Sequence, residues 1–147
     1  MKHKPKNIFV GGAIPPEMIA DSVQKHSSKT EIGGHSIFLG QVRADEKEDG
    51  IVQAIEYTAY EEMALEKASE IREDIFSRYR LTCMHIFHSL GEVKAGEICL
   101  FVFTSSVHRK EAIEACRELV ERIKKELPIW GKEIISPDKS AWKENKF

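Results

Sequence analysis

The side chains best placed for chemistry in this sequence are basic ones that stand at the ends of secondary-structure elements. Arg43 closes the apolar run His35–Arg43, His108 and Arg109 stand where a strand gives way to a helix, Lys124 and Lys125 lie near that helix's end, and Lys132 follows Pro128-Ile129-Trp130. A helix start already presents free N–H groups and partial positive charge. Cations are unfavourable there unless an anion is bound, so Ser105, Ser106, His108 and Arg109 in one turn point to a phosphate or carboxylate site. The plainer alternative is an exposed arginine beside a histidine that caps a neighbouring loop. Lys124 and Lys132 pose the same choice. A lysine on an amphipathic helix is ordinarily solvated, and near the C-terminus it complements the dipole. Crowded by cations or partly buried, it becomes a candidate acid, base or nucleophile.

Other chemistries are poorly represented. There is no Walker loop, Gly11–Ile14 (GGAI) is too short for a dinucleotide fingerprint, and no paired-carboxylate or Ser/His/Asp arrangement stands out. His85 and His88 are three apart on a strand, so they face opposite ways and read as structural rather than as one metal site. Cys83, Cys99 and Cys116 show no metal-type spacing and read as buried free thiols of a reducing compartment. The expectation is no metal and no cofactor.

With 147 residues, 41% hydrophobic and 31% charged, the chain suits one soluble domain, 1–147, and excludes a disordered or fibrous protein. A net charge of −2 argues against a general nucleic-acid coat but permits a local cationic pocket. The N-terminal apolar run, Ile8–Val10, is too short for a signal peptide, and no stretch of about 18 apolar residues exists. No membrane is expected, and the location is expected to be cytoplasmic.

These residues must be held by elements that the patterning suggests. A short strand, Asn7–Val10, precedes a helix from Pro15-Pro16 to about His26 with Met18, Ile19 and Val23 on one face. The strand His35–Arg43 contains Gly40, which weakens it unless something approaches the backbone closely. Ala44–Gly50 is charged and reads as a mobile loop, one that orders over bound substrate. Ile51–Thr58 reads as the partner strand of a hairpin-like pair. A helix is expected from Tyr60 to Tyr79. Strands follow at Cys83–Leu90 and Glu97–Thr104, with Gly91 and Gly96 bracketing their turn. The nearly all-apolar second strand suits the middle of a sheet covered on both faces. The last helix, Arg109–Glu126, carries Ala112, Ile113, Cys116, Leu119, Val120 and Ile123 as its buried stripe, with Ser105 or Ser106 as a cap near its start. Pro128 ends it. The tail through Trp142 is expected to be extended. The result is an α+β fold, a mostly antiparallel sheet with packed helices.

In order along the chain, Phe38–Arg43, Tyr60 with Met63, His88–Val93, Ser105-x-x-His108-Arg109, Lys124, Pro128-Ile129-Trp130-x-Lys132-Glu133 and Trp142-Lys143 resemble the molybdopterin synthase catalytic (large) subunit family. The resemblance runs from roughly residue 33 to residue 146. It implies an α/β-hammerhead-type fold and a sulfurtransferase of molybdenum-cofactor biosynthesis. The substrate would be cyclic pyranopterin monophosphate (precursor Z). The sulfur would come from the C-terminal Gly-Gly thiocarboxylate of a small ubiquitin-like subunit, and the assembly would be a heterotetramer built on a homodimer of this chain. By motif position Arg43, His108 and Arg109 would bind the phosphate and pterin, and Lys124 would meet the thiocarboxylate or act as general acid/base. One departure stands out, because many members have lysine directly after the tryptophan, where this chain has Gly131. The expectation is that a positive φ at Gly131 redirects Lys132 into the pocket. Lys143 and Lys146 are candidates to reach a neighbouring pocket. Two other classes remain open: a non-catalytic scaffold that keeps the dimer and the anion pocket, and a phosphate-ester hydrolase, against which the lack of a carboxylate cluster counts.

Overall fold

A computed structural model describes residues 5–136. The elements run β1 (Phe9–Gly11), α1 (Pro16–His26), β2 (Gly34–Gln41), β3 (Glu46–Lys47), β4 (Gly50–Ala59), α2 (Glu61–Arg78), β5 (Cys83–Lys94), β6 (Ile98–Ser106), α3 (Arg109–Glu126) and β7 (Ile129–Ser136). The strands form a seven-stranded sheet ordered β2-β6-β5-β4-β3, with β7 added to β4 and β1 to β5. Only β1 pairs parallel; the other ladders are antiparallel. The expected α+β architecture is observed.

β6 is nearly all apolar because both of its faces are covered. Leu100 and Val102 pack with Met84, Ile86 and the α2 and α3 stripes, including Ile71, Ile75, Cys116, Leu119 and Ile123. Phe101 and Phe103 pack the other way with Ile14, Met18 and Ile19, the last two from α1. Each fully buried chain of this size contributes about 1.5–3 kcal/mol. All three cysteines are free and buried, as expected. Across the outside, Arg78 and Arg122 bridge Asp74 of α2 and Glu118 of α3, which ties the two helices by solvent-screened pairs of modest worth.

Helix positions agree closely with the periodicity, and the two strands expected on either side of a turn pair as β5 with β6, whereas the other strand partners differ. Ile51–Thr58 is no hairpin partner of β2: β2 pairs with β6, and β4 pairs with β5 and β7. Gly91 does not bracket a turn but lies inside β5 at φ +87°. There the strand leaves β1 and β6 (His88 opposite Leu100) and joins β4 (Gly91 opposite Tyr57), a corner that a left-handed glycine makes possible. Ala44–Gly50 is not wholly loop, since Glu46 and Lys47 pair with Ile51 and Gly50; backbone hydrogen bonds need no apolar side chains. Val23, grouped with Met18 and Ile19 on one face, and Ile113, assigned to the buried stripe of the last helix, are 41% and 53% exposed. The segment after Pro128 folds as β7. Trp142, Lys143 and Lys146 lie outside the described residues.

Candidate functional site

The positions of the basic residues follow from the β2–β6 ladder. Gly34 faces Ser106 at one end and Gln41 faces Ile98 at the other. Arg43 therefore lies just beyond the Ile98 end, and His108 and Arg109 lie just beyond the Ser106 end. The nine residues of β6 span about 25–30 Å at roughly 3.4 Å each, far more than an arginine side chain reaches. Within one copy of the chain these three residues do not converge, contrary to the shared phosphate group expected of them.

At the Ser106 end, His108 is the N-cap of α3 with extended backbone and makes no side-chain cap. Ser105 and Ser106 are fully buried and committed elsewhere. The Ser105 hydroxyl is 2.7 Å from His35 Nδ1, and Ser106 Oγ donates to the Arg80 carbonyl at 2.7 Å. Neither serine caps the helix or faces an anion, because both belong to the strand's covered surface. The side chains of His108 and Arg109 are exposed. Gly34 allows this turn to sit tightly on β2, since a Cβ there would lie 3.3 Å from Arg109 Cα.

The opposite end has buried polar groups beneath it, although Lys124 itself is exposed. α3 runs back along the sheet and brings Lys124 close enough to His88 for the ammonium to disfavour the imidazolium. Burial is the main cause of the lowered His88 pKa, Lys124 adds to it, and the 2.8 Å contact of Nδ1 with the Ser89 carbonyl works the other way. The Tyr57 ring meets His88 edge-on at 5.1 Å. Burial, reinforced by the neighbouring Cys99 thiol, pushes the Tyr57 phenol well above its ordinary value. A neutral imidazole thus stands near Lys124, with an un-ionised phenol on the imidazole's own edge, and among the described ion pairs Lys124 takes part in none. Arg43 lies at the same end, held by Asp45 at 3.4 Å with its own side chain 82% exposed. Such an exposed pair yields readily to a stronger anion.

Lys132 does not take the position vacated at Gly131. Gly131 is not among the positive-φ glycines, and β7 runs in plain register, Gly131 opposite Tyr57 and Lys132 opposite Glu56. Directly opposed residues share a face and successive ones alternate, so Lys132 points away from the side on which Tyr57 meets His88. A Cβ at residue 131 would lie 2.7 Å from Ile55 Cγ2 and 3.2 Å from Tyr57 Cε1. The tyrosine ring occupies the space that a side chain there would need. Beside it, Tyr60 and Trp130 pack edge to face at 4.8 Å, both largely exposed. Sequence reasoning missed Tyr57 and Cys99 as walls of this site, because neither carries a local signal.

Fold and site together describe an α+β chain that offers cationic side chains and protected polar walls, and whose thiols are all buried. The MoaE protein family matches residues 15–126. The chain is 39% identical over 107 residues to the molybdopterin synthase catalytic subunit of Pyrococcus abyssi, covering 73% of this chain and 72% of that one. The crystal structure of molybdopterin synthase from Staphylococcus aureus superposes with a TM-score of 0.77 at 31% identity, over 91% of this chain and 94% of that one. A complex of subunits 1 and 2 of the Helicobacter pylori molybdopterin-converting factor shares the fold, with a TM-score of 0.74 at 21% identity over 86% and 83% of the two chains. The chain belongs to the MoaE family, that of molybdopterin synthase catalytic subunits, and its place is in molybdenum cofactor biosynthesis.

Proposed function

We propose that the chain, as one large-subunit domain, transfers sulfur from the thiocarboxylated C-terminus of a small ubiquitin-like subunit to cyclic pyranopterin monophosphate, forming the molybdopterin dithiolene. The observation that carries this reading is Lys124, close to the neutral His88 and in none of the ion pairs among the described residues. An ammonium so placed attracts the incoming thiocarboxylate and can pass a proton as the sulfur adds to the pterin side chain. Hydrolysis of the resulting acyl link then releases the carrier. The partner supplies the sulfur, so three buried thiols are no obstacle. The two-subunit complex of the same fold in H. pylori supports a small partner.

The phosphate group is completed by a second copy of the chain. β2 is an edge strand with Ile37, Phe38 and Leu39 each about two-fifths exposed. An isologous contact along this edge runs antiparallel, so the Gly34 end of one copy meets the Gln41 end of the other. Arg43 would then lie beside the partner's His108 and the partner's Arg109. Mixing tests this directly. Arg43→Ala and Arg109→Ala homodimers, each inactive with thiocarboxylated carrier and precursor Z, are expected to regain about a quarter of wild-type activity once subunits exchange, because half the dimers then carry one intact site. If exchange is demonstrated and activity stays at zero, the shared site is wrong.

Gly131 favours a second reading, a scaffold that binds both ligands without turnover. Dithiolene formation by the purified chain with carrier and precursor Z separates the two.

A further inference from the structure

On the face of β5 opposite His88 lies a cluster that sulfur transfer does not use. His26, the last residue of α1, meets Cys83 and His85 at the start of β5, and the three ligand atoms all lie within 4.8 Å of one another. Cys83 and His85 are two apart on the strand and so share a face. Their partner is 59 residues away from His85, which hides the set from any spacing rule.

We propose that His26, Cys83 and His85 bind a borderline-soft divalent cation, zinc in the first instance, in a three-ligand site that fastens the end of α1 to the sheet. His26 Nδ1 lies 2.7 Å from the Ser22 carbonyl. That contact places a proton on Nδ1 and leaves the Nε2 lone pair directed into the cluster, the outer hydrogen bond that metal-bound histidines characteristically make. His26 Nε2 and His85 Nε2 are 3.2 Å apart. Tetrahedral zinc with Zn–N bonds of about 2.0–2.1 Å holds two nitrogens roughly 3.3 Å apart. Lys29 Nζ donates to Cys83 Sγ at 2.9 Å, so a cation already sits beside the sulfur where the metal's charge would act. Lys29 is exposed and free to swing away. Phe103, 4.9 Å from the His26 ring, walls the cluster from the core side. Thiolate with two imidazoles is a donor set that suits zinc and excludes magnesium or calcium. His35 is not counted, because among the described residues only the donor atoms of His26, Cys83 and His85 form a set lying within 4.8 Å of one another. The proposal is independent of the sulfur-transfer reading.

The test uses the full-length chain, stripped with chelator under reducing conditions and titrated with Co²⁺ as a spectroscopic probe and then with Zn²⁺. Expected are one-to-one binding at micromolar concentration or tighter, a thiolate-to-cobalt charge-transfer band, displacement by Zn²⁺ and a raised melting temperature. Cys83→Ser should abolish the charge-transfer band, and His26→Gln and His85→Gln should each weaken binding at least tenfold. Absence of saturable binding, or binding that all three variants retain, would overturn the site as an adventitious ion only. Should Cys83→Ser fold poorly, alkylation of the wild-type chain decides: Zn²⁺ should slow modification of Cys83 specifically, and an unchanged rate refutes the proposal.

Discussion

The two ends of α3 carry the same kind of charge in opposite settings. At its start, His108 and Arg109 project outwards from a turn whose serines are turned inwards and committed to His35 and Arg80. At its finish, the exposed Lys124 stands near a buried histidine whose ring meets a half-buried tyrosine. One end is an open cationic tip; at the other an exposed lysine stands beside a buried imidazole. The contrast shows that basic residues clustered by motif need not be clustered in one molecule. A helix about as long as the sheet is deep delivers them to opposite ends of the β2–β6 ladder.

Several substitutions sharpen or break this contrast. Lys124→Ala should have the largest effect, lowering turnover by roughly 10²–10⁴-fold with unchanged circular dichroism, whereas its equally exposed neighbour Lys125→Ala should stay within about twofold, since Lys124 and not Lys125 acts on His88. Comparable losses in both would mean the His88 end is not special. Gly131→Ala should cost about 1–3 kcal/mol in urea denaturation, because Ile55 and Tyr57 leave no room for the added carbon. A neutral result would show that the tyrosine ring moves freely and that Gly131 is not held by it.

Acid should weaken the fold through histidines on both sheet faces. Burial, aided by His26, Lys6, Arg72 and Lys29, pushes His85 down to about 4, and burial also lowers His88. A depressed histidine keeps its neutral form in the folded state while the unfolded chain takes up a proton near pH 6.5. Stability should therefore be intact above that pH and fall progressively towards pH 4. Urea midpoints between pH 7.5 and 4.5 measure this slope, which His85→Gln should reduce. The smallest effect is expected from Lys132→Ala, with turnover within about twofold of wild type, since its strand position faces away from Tyr57. A large loss would return Lys132 to the mechanism.

Much of the scaffold was legible because local periodicity reports it. α1 begins at a proline pair, α2 repeats apolar residues through Ala64, Ala68, Ile71 and Ile75, and α3 matches its expected span from Arg109 to Glu126. β6 was recognisable as central because a strand covered on both faces needs no polar alternation. The opposite directions of His85 and His88 followed from strand geometry alone, and the structure keeps them on separate faces, one against His26 and the other against Tyr57. The exposure of Val23 and Ile113 was not legible, because periodicity marks a helix face without saying how far its neighbours extend over it.

By itself, then, the sequence determined the helices, the apolar centre and the basic character of the functional residues, since each depends on side-chain type at short separation. Tertiary structure alone decided which strand lies beside which, that Arg43 and Arg109 occupy opposite edges, that Tyr57 fills the space above Gly131, and that His26 meets Cys83 and His85. Those outcomes depend on register between segments tens of residues apart, where hydrogen-bonding backbone is nearly the same at every position and only the packing of the whole selects one pairing.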